Sequence, residues 1–70
     1  MRFYNYQEYW DRCYFLDRET FSWGKSEEEK ERISQEWEEL RSEFAQCHDI
    51  WLERWNEEHP NDQRTYLERF

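Results

Sequence analysis

Residues 25–59 lie between the chain's only glycine, Gly24, and its only proline, Pro60, with no helix breaker among them. Within that run Ile33, Trp37, Leu40, Phe44, Cys47 and Trp51 recur at alternating steps of four and three. That is the heptad spacing which keeps one face of a helix apolar, and Trp55 continues it one step off register. Ser26-Glu27-Glu28-Glu29 opens the run: Ser26 caps the first turn, Glu29 closes a capping box, and three glutamates sit at the positive end of the helix dipole. Pro60 disfavours helix at His59 and ends it. The pattern predicts one helix over residues 27–58, about 48 Å long at about 1.5 Å per residue. A 70-residue chain with such a rod in it is committed to a helical architecture.

The remainder reads as shorter helices. Asn5 is a good N-cap, and Glu8 three residues later can reach back to the cap amide. Tyr6, Tyr9, Trp10, Cys13 and Leu16 follow at three- and four-residue steps, predicting a first helix over residues 6–18. Tyr14-Phe15-Leu16 and Thr20–Trp23 are β-prone, so a strand is the rival there. Residues 19–25 form the connector, with Gly24 at the turn because it alone takes positive φ without steric cost; Phe21 and Trp23 are expected to plug the end of the helix pair. Asn61 or Asp62 can cap a last helix to about residue 69, with Tyr66, Leu67 and Phe70 on its apolar side. The expected fold is all-α, a single small domain over residues 1–70. It is a helical hairpin whose long central helix is flanked by short N- and C-terminal helices around an aromatic-rich core.

Charged residues make up 40% of the chain and mean hydropathy is −1.55, which alone would suggest disorder. Five Trp, five Tyr and five Phe decide against it, since disordered segments are poor in rings. A short connector would set Cys13 near Ile33, Trp10 near Trp37, Tyr6 near Leu40 and Phe3 near Phe44. The first helix would then cover only the first half of the long one. Ile50, Trp51, Leu52 and Trp55 would be left with a nine-residue helix to cover them, so a partner or a second copy is expected at residues 50–55.

No apolar run approaches a membrane span, and no basic-then-apolar start resembles a signal peptide. Two cysteines without a secretory signal point to the cytoplasm, and at opposite ends of the fold they are too far apart for a disulfide. Cys13, Cys47, His48 and His59 could ligate zinc by type, but the characteristic spacings are missing, and no cofactor or metal is expected. Adjacent Cys47 and His48 diverge on a helix, and a solvated glutamate face offers no pair of carboxylates with separated pKa values. The chain is not expected to be an enzyme.

Charge is placed unevenly. Residues 1–25 carry four acids and four bases, and residues 59–70 carry two of each. The whole net charge of −8 falls between Glu27 and Glu58, where twelve acids face four bases. Such a field repels nucleic acid and anionic lipid and attracts basic proteins. Within residues 27–58 only Glu28 and Arg32 stand in the stabilising acid-then-base order, whereas Glu27/Glu31, Glu39/Glu43 and Glu53/Glu57 are like-charge pairs four apart. The expected partner-binding residues are Glu38, Glu39, Glu43, Asp49, Ile50, Trp51, Glu53, Trp55 and Glu57, with the acids steering and the apolar side chains anchoring. One charge per about 6 Å of helix is several-fold sparser than duplex DNA at about 1.7 Å, so nucleic-acid mimicry would be partial. In size, acidity and aromatic content the chain resembles the small intracellular regulators of phages and mobile elements. The expectation is an inhibitor or modulator of a basic, nucleic-acid-handling protein, with no direct nucleic-acid or membrane contact. The alternative is a structural protein whose long helix forms a homodimeric bundle.

Overall fold

The computed structural model describes residues 1–70 and contains two helices and no strand: α1, Tyr6–Thr20, and α2, Glu27–Glu58. Both begin at the capping residues. The Asn5 side chain accepts the Glu8 amide at 3.0 Å and the Ser26 hydroxyl accepts the Glu29 amide at 3.2 Å. The Glu8 carboxylate reaches one residue further back than a capping box would take it, accepting the Tyr4 amide at 2.6 Å. Helix α1 runs past residue 18 to Thr20 because nothing at Glu19 or Thr20 breaks it. The Thr20 hydroxyl donates to the Leu16 carbonyl at 2.8 Å and accepts the Trp37 indole N–H at 3.0 Å, so the last turn is tied to α2. Gly24 takes the connector through φ 80°, the one positive φ in the chain. No helix is long and apolar enough to cross a membrane.

The helices run antiparallel, but in a register that differs from the expected one. Tyr6 packs edge-on against Trp55 at 5.9 Å between centroids rather than lying beside Leu40, and Phe3 meets Trp51 at 6.3 Å rather than Phe44. Tyr9 lies between Phe44 and Trp51, at 5.4 and 5.2 Å. Helix α1 has thus slid toward the C-terminal half of α2, and the glutamate-rich first turns of α2 project beyond it. Burial explains the direction: the rings at 44, 51 and 55 offer far more apolar area than anything at 27–32.

The expected C-terminal helix does not form. After one turn closed by the Asp62 amide on the His59 carbonyl, residues 63–70 run without regular structure back along α2. Side chains of both helices satisfy this segment's backbone. Asn56 pairs with both the N–H and the C=O of Arg64, His48 Nε2 accepts the Leu67 amide at 2.9 Å, and the Tyr6 hydroxyl donates to the Glu68 carbonyl at 2.5 Å. The Phe70 amide donates to the Tyr9 hydroxyl at 3.3 Å. Reach is the physical reason for this conformation. Eleven extended residues cover up to about 36 Å, enough to return from His59 to the level of Trp37, where a helix would stop at about half that distance. Phe70 accordingly ends between Trp10 and Trp37, at 4.6 and 6.0 Å from their rings.

Residues 1–5 clasp the opposite edge of the pair. Arg2 reaches Glu36, Glu39 and Glu43, the Phe3 carbonyl accepts the Trp51 indole N–H at 3.2 Å, and the Tyr4 carbonyl accepts from Arg54. The buried core is Tyr6, Tyr9, Cys13, Leu16, Ile33, Leu40, Cys47, Trp51 and Leu67. Trp51 at its centre is 0% exposed, and no buried side-chain nitrogen or oxygen lacks a partner. Of the residues at 50–55 expected to need another chain, Trp51 is covered from within, Leu52 and Trp55 are covered in part, and Ile50 stays 44% exposed. The molecule measures 44 × 20 × 16 Å.

Candidate protein-binding surface

The seam of α2 faces α1, so the residues half a turn away form its outer face. Glu38, Glu39, Asp49, Glu53 and Glu57 are all exposed there, Asp49 with its side chain 100% accessible, and Ile50 is 44% exposed beside them. Three other residues expected in the surface are engaged inside the molecule. Trp51 is the core centre. Glu43 turns toward the N-terminal segment, accepting the Arg2 amide at 2.8 Å with the Cys47 thiol 3.7 Å away. Trp55 is half-buried: it stacks on His59 at 3.8 Å, donates its indole N–H to the Asp62 carbonyl at 2.9 Å, and carries the Arg64 guanidinium over its ring. It therefore presents little free ring to a partner.

The acids of α2 separate into two populations. On the edge toward residues 1–5 and α1 they are paired. Arg12 forks onto both oxygens of Glu36 at 2.5 and 2.6 Å, Arg2 adds a third contact at 3.0 Å, and Asn5 lies 3.4 Å from Glu58. The Arg12 guanidinium holds the Glu36 carboxyl below its usual range, and Arg12 is raised in turn by the same hydrogen bonds. On the outer face Glu28, Glu31, Glu38, Glu53 and Glu57 have no ion-pair partner. Arg32 makes no ion pair with Glu28 despite its helix-stabilising position. Exposed Ser42, Ala45 and Gln46 interrupt this face with a neutral band, which leaves Glu38 and Glu39 on one side and Asp49, Glu53 and Glu57 on the other.

The sulfur and imidazole side chains are dispersed. Cys13 and Cys47 are free and buried, and burial pushes both thiols up, which keeps them protonated and poor as nucleophiles or ligands. His48 accepts the Leu67 amide at Nε2, which places its proton on Nδ1, 3.2 Å from Asp49. Its ring thus points toward the C-terminal segment while Cys47 points to Glu43. His59 lies on Trp55 with Nδ1 3.1 Å from the Trp55 carbonyl. No three His, Cys, Asp or Glu side chains converge as a metal set. Open clefts of about 490 and 480 Å³ flank Trp37, with hydroxyls and basic side chains in their walls; the Thr20 and Ser22 hydroxyls there donate to backbone carbonyls.

Exposed rings appear where the sequence does not direct attention. Trp23 is 99% and Phe21 78% exposed, so neither plugs the end of the helix pair, and Tyr14 and Phe15 stand outward from α1 at 51% and 59%. The last two are legible in hindsight, since both fall off the Tyr6–Tyr9–Cys13–Leu16 face. No protein-family model, curated protein or solved structure matches the chain.

Proposed function

We propose that this protein is a non-enzymatic regulator or inhibitor that binds a basic surface on a nucleic-acid-handling protein. The contact is the outer face of α2, with Glu38, Glu39, Asp49, Glu53 and Glu57 supplying charge and Ile50 an apolar contact. The observation that carries this reading is the sorting of acids: those needed for the fold are paired along one edge, while Glu38, Glu53 and Glu57 on the outer face have no ion-pair partner and Glu39, at its rim, has only a 3.7 Å contact to Arg2. Like charges four apart on a helix destabilise it by a few tenths of a kcal/mol per pair, so stability alone favours interleaved Lys and Arg. Two acidic groups separated by the neutral band would follow two basic patches and occupy part of a phosphate-binding groove, in keeping with the sparse charge spacing. Free, buried thiols fit a cytoplasmic setting. The alternative, a homodimeric bundle through the α2 seam, would require the chain's own segments to leave Ile33, Leu40, Cys47 and Trp51, which they already bury.

The test compares captures from one cell lysate by the native chain and by a variant with Glu38, Glu39, Glu53 and Glu57 changed to Gln and Asp49 to Asn. Basic nucleic-acid-binding proteins should be retained by the native chain, released by raised salt or added duplex DNA, and missing from the variant. An identical set on both would overturn the electrostatic reading.

A further inference from the structure

Six of the eight large apolar side chains left exposed belong to residues 1–23: Met1, Tyr4, Tyr14, Phe15, Phe21 and Trp23. Over residues 1–25 four acids stand beside four bases, of which Arg2 and Arg12 turn toward the acids of α2, so this third of the chain is only weakly acidic on its free side. Two copies, each carrying −8 overall, repel each other less across this side than across the outer face of α2.

The outer face of α1 is also self-complementary. Asp11 and Arg18 lie seven residues apart, two helical turns or about 10.5 Å, along one line of the helix. Between them stand Tyr14 and Phe15, edge to face with ring centroids 6.2 Å apart, and the Arg18 guanidinium lies 5.9 Å from the Tyr14 ring. Arg18 has no acid within ion-pair distance in its own chain, and Asp11 is held only by the neutral Gln7 amide at 2.9 Å.

We propose that the chain forms a symmetric dimer through α1, with the two helices antiparallel and the twofold axis between residues 14 and 15. An isologous contact sets residue i against j and j against i. Here Asp11 meets Arg18 of the second copy, Arg18 meets its Asp11, and the four central rings close against one another. A parallel pairing would instead oppose Asp11 to Asp11 and Arg18 to Arg18. The antiparallel pairing also brings the Tyr4 end of one α1 to the Phe21–Trp23 end of the other. One helix per partner is a small interface, so association should be weak, with a Kd of about 10–100 µM. The dimer leaves the outer face of α2 free on both copies, so it does not depend on the function proposed above.

Sedimentation equilibrium from about 5 to about 500 µM reads the dimer directly. The native chain should move from monomer to dimer over that range, while D11R alone and R18D alone should weaken association about tenfold or more. An equimolar mixture of D11R and R18D, and the double swap D11R/R18D, should each recover it to within about threefold of the native Kd. These side chains are outside the core, so circular dichroism should show all variants folded. A native chain that stays monomeric throughout, or association that the single reversals leave unchanged, would overturn the proposal. So would charge reversals that weaken the dimer but are not rescued in both the mixture and the double swap.

Discussion

Trp51 is where most of this molecule's interactions meet. Its indole touches Phe3, Tyr9 and Phe44, and its N–H is the partner of the Phe3 carbonyl. Truncation to alanine leaves both a cavity and an orphaned carbonyl, at a cost of about 4 kcal/mol, most of what a chain of this size has in reserve. Trp51→Phe keeps a ring and should cost about 1–2 kcal/mol, leaving a cooperative urea transition at a lower midpoint. A Trp51→Ala chain that unfolds at the native midpoint would contradict this placement. Heptad spacing marks Trp51 as a seam residue, yet the sequence alone also allows the same ring to wait for a partner. Likewise, nothing in the local pattern separates Glu36, pinned by Arg2 and Arg12, from its exposed neighbours Glu38 and Glu39.

Among the elements, α2 is the most self-sufficient and residues 59–70 the least. The cap at Ser26, the seam and the stop before Pro60 all act within a few residues, and α2 spans Glu27–Glu58 as the pattern predicts. The C-terminal segment has a plausible cap and three apolar residues, but a helix this short is marginal in water on its own. Its conformation follows the groove that Tyr6, Tyr9, His48 and Asn56 offer. Deleting residues 65–70 removes buried Leu67 and the Phe70 contacts and uncovers Tyr9, Trp10 and Trp37. The loss should be about 3 kcal/mol, which lowers Tm by about 12–24 °C in a domain of this size. A thermal melt by circular dichroism reads it, and an unchanged Tm would mean that the segment does not pack.

For the molecule as a whole, stability should form a plateau in pH with a physical cause at each edge. Glu36 is held below its ordinary 4.5 chiefly by Arg12, so in acid the unfolded chain takes up its proton first. Stability is full above about that pH and is lost as the pH falls through the folded value. At the alkaline edge, burial raises Cys13 and Cys47 from 9.0 and Tyr6 from 10.0, and pushes Tyr9 up to about 12. The unfolded chain then releases protons first, and stability declines as the pH rises beyond about 9. Urea midpoints against pH check both edges. Glu36→Gln should cost about 2 kcal/mol near neutrality and flatten the acid decline, and an acid decline that it leaves intact would put the cause elsewhere.

Helicity, the bounds and caps of α2, its apolar stripe and the concentration of acid along it follow from residues no more than a few positions apart. Periodicity and capping are local physics, and they are readable in the order of the letters. The register of α1 on α2, the return of residues 63–70 as an extended clasp, and the division of the acids into paired and free depend on surfaces that meet only across 24 to 62 residues of chain. Those surfaces compete: the rings at 44, 51 and 55 draw α1 and both termini toward them, and whatever lies off that axis, from Glu38 to Trp23, is left to solvent. Burial of the greatest ring area is a property of the whole arrangement, so no short window of sequence contains it.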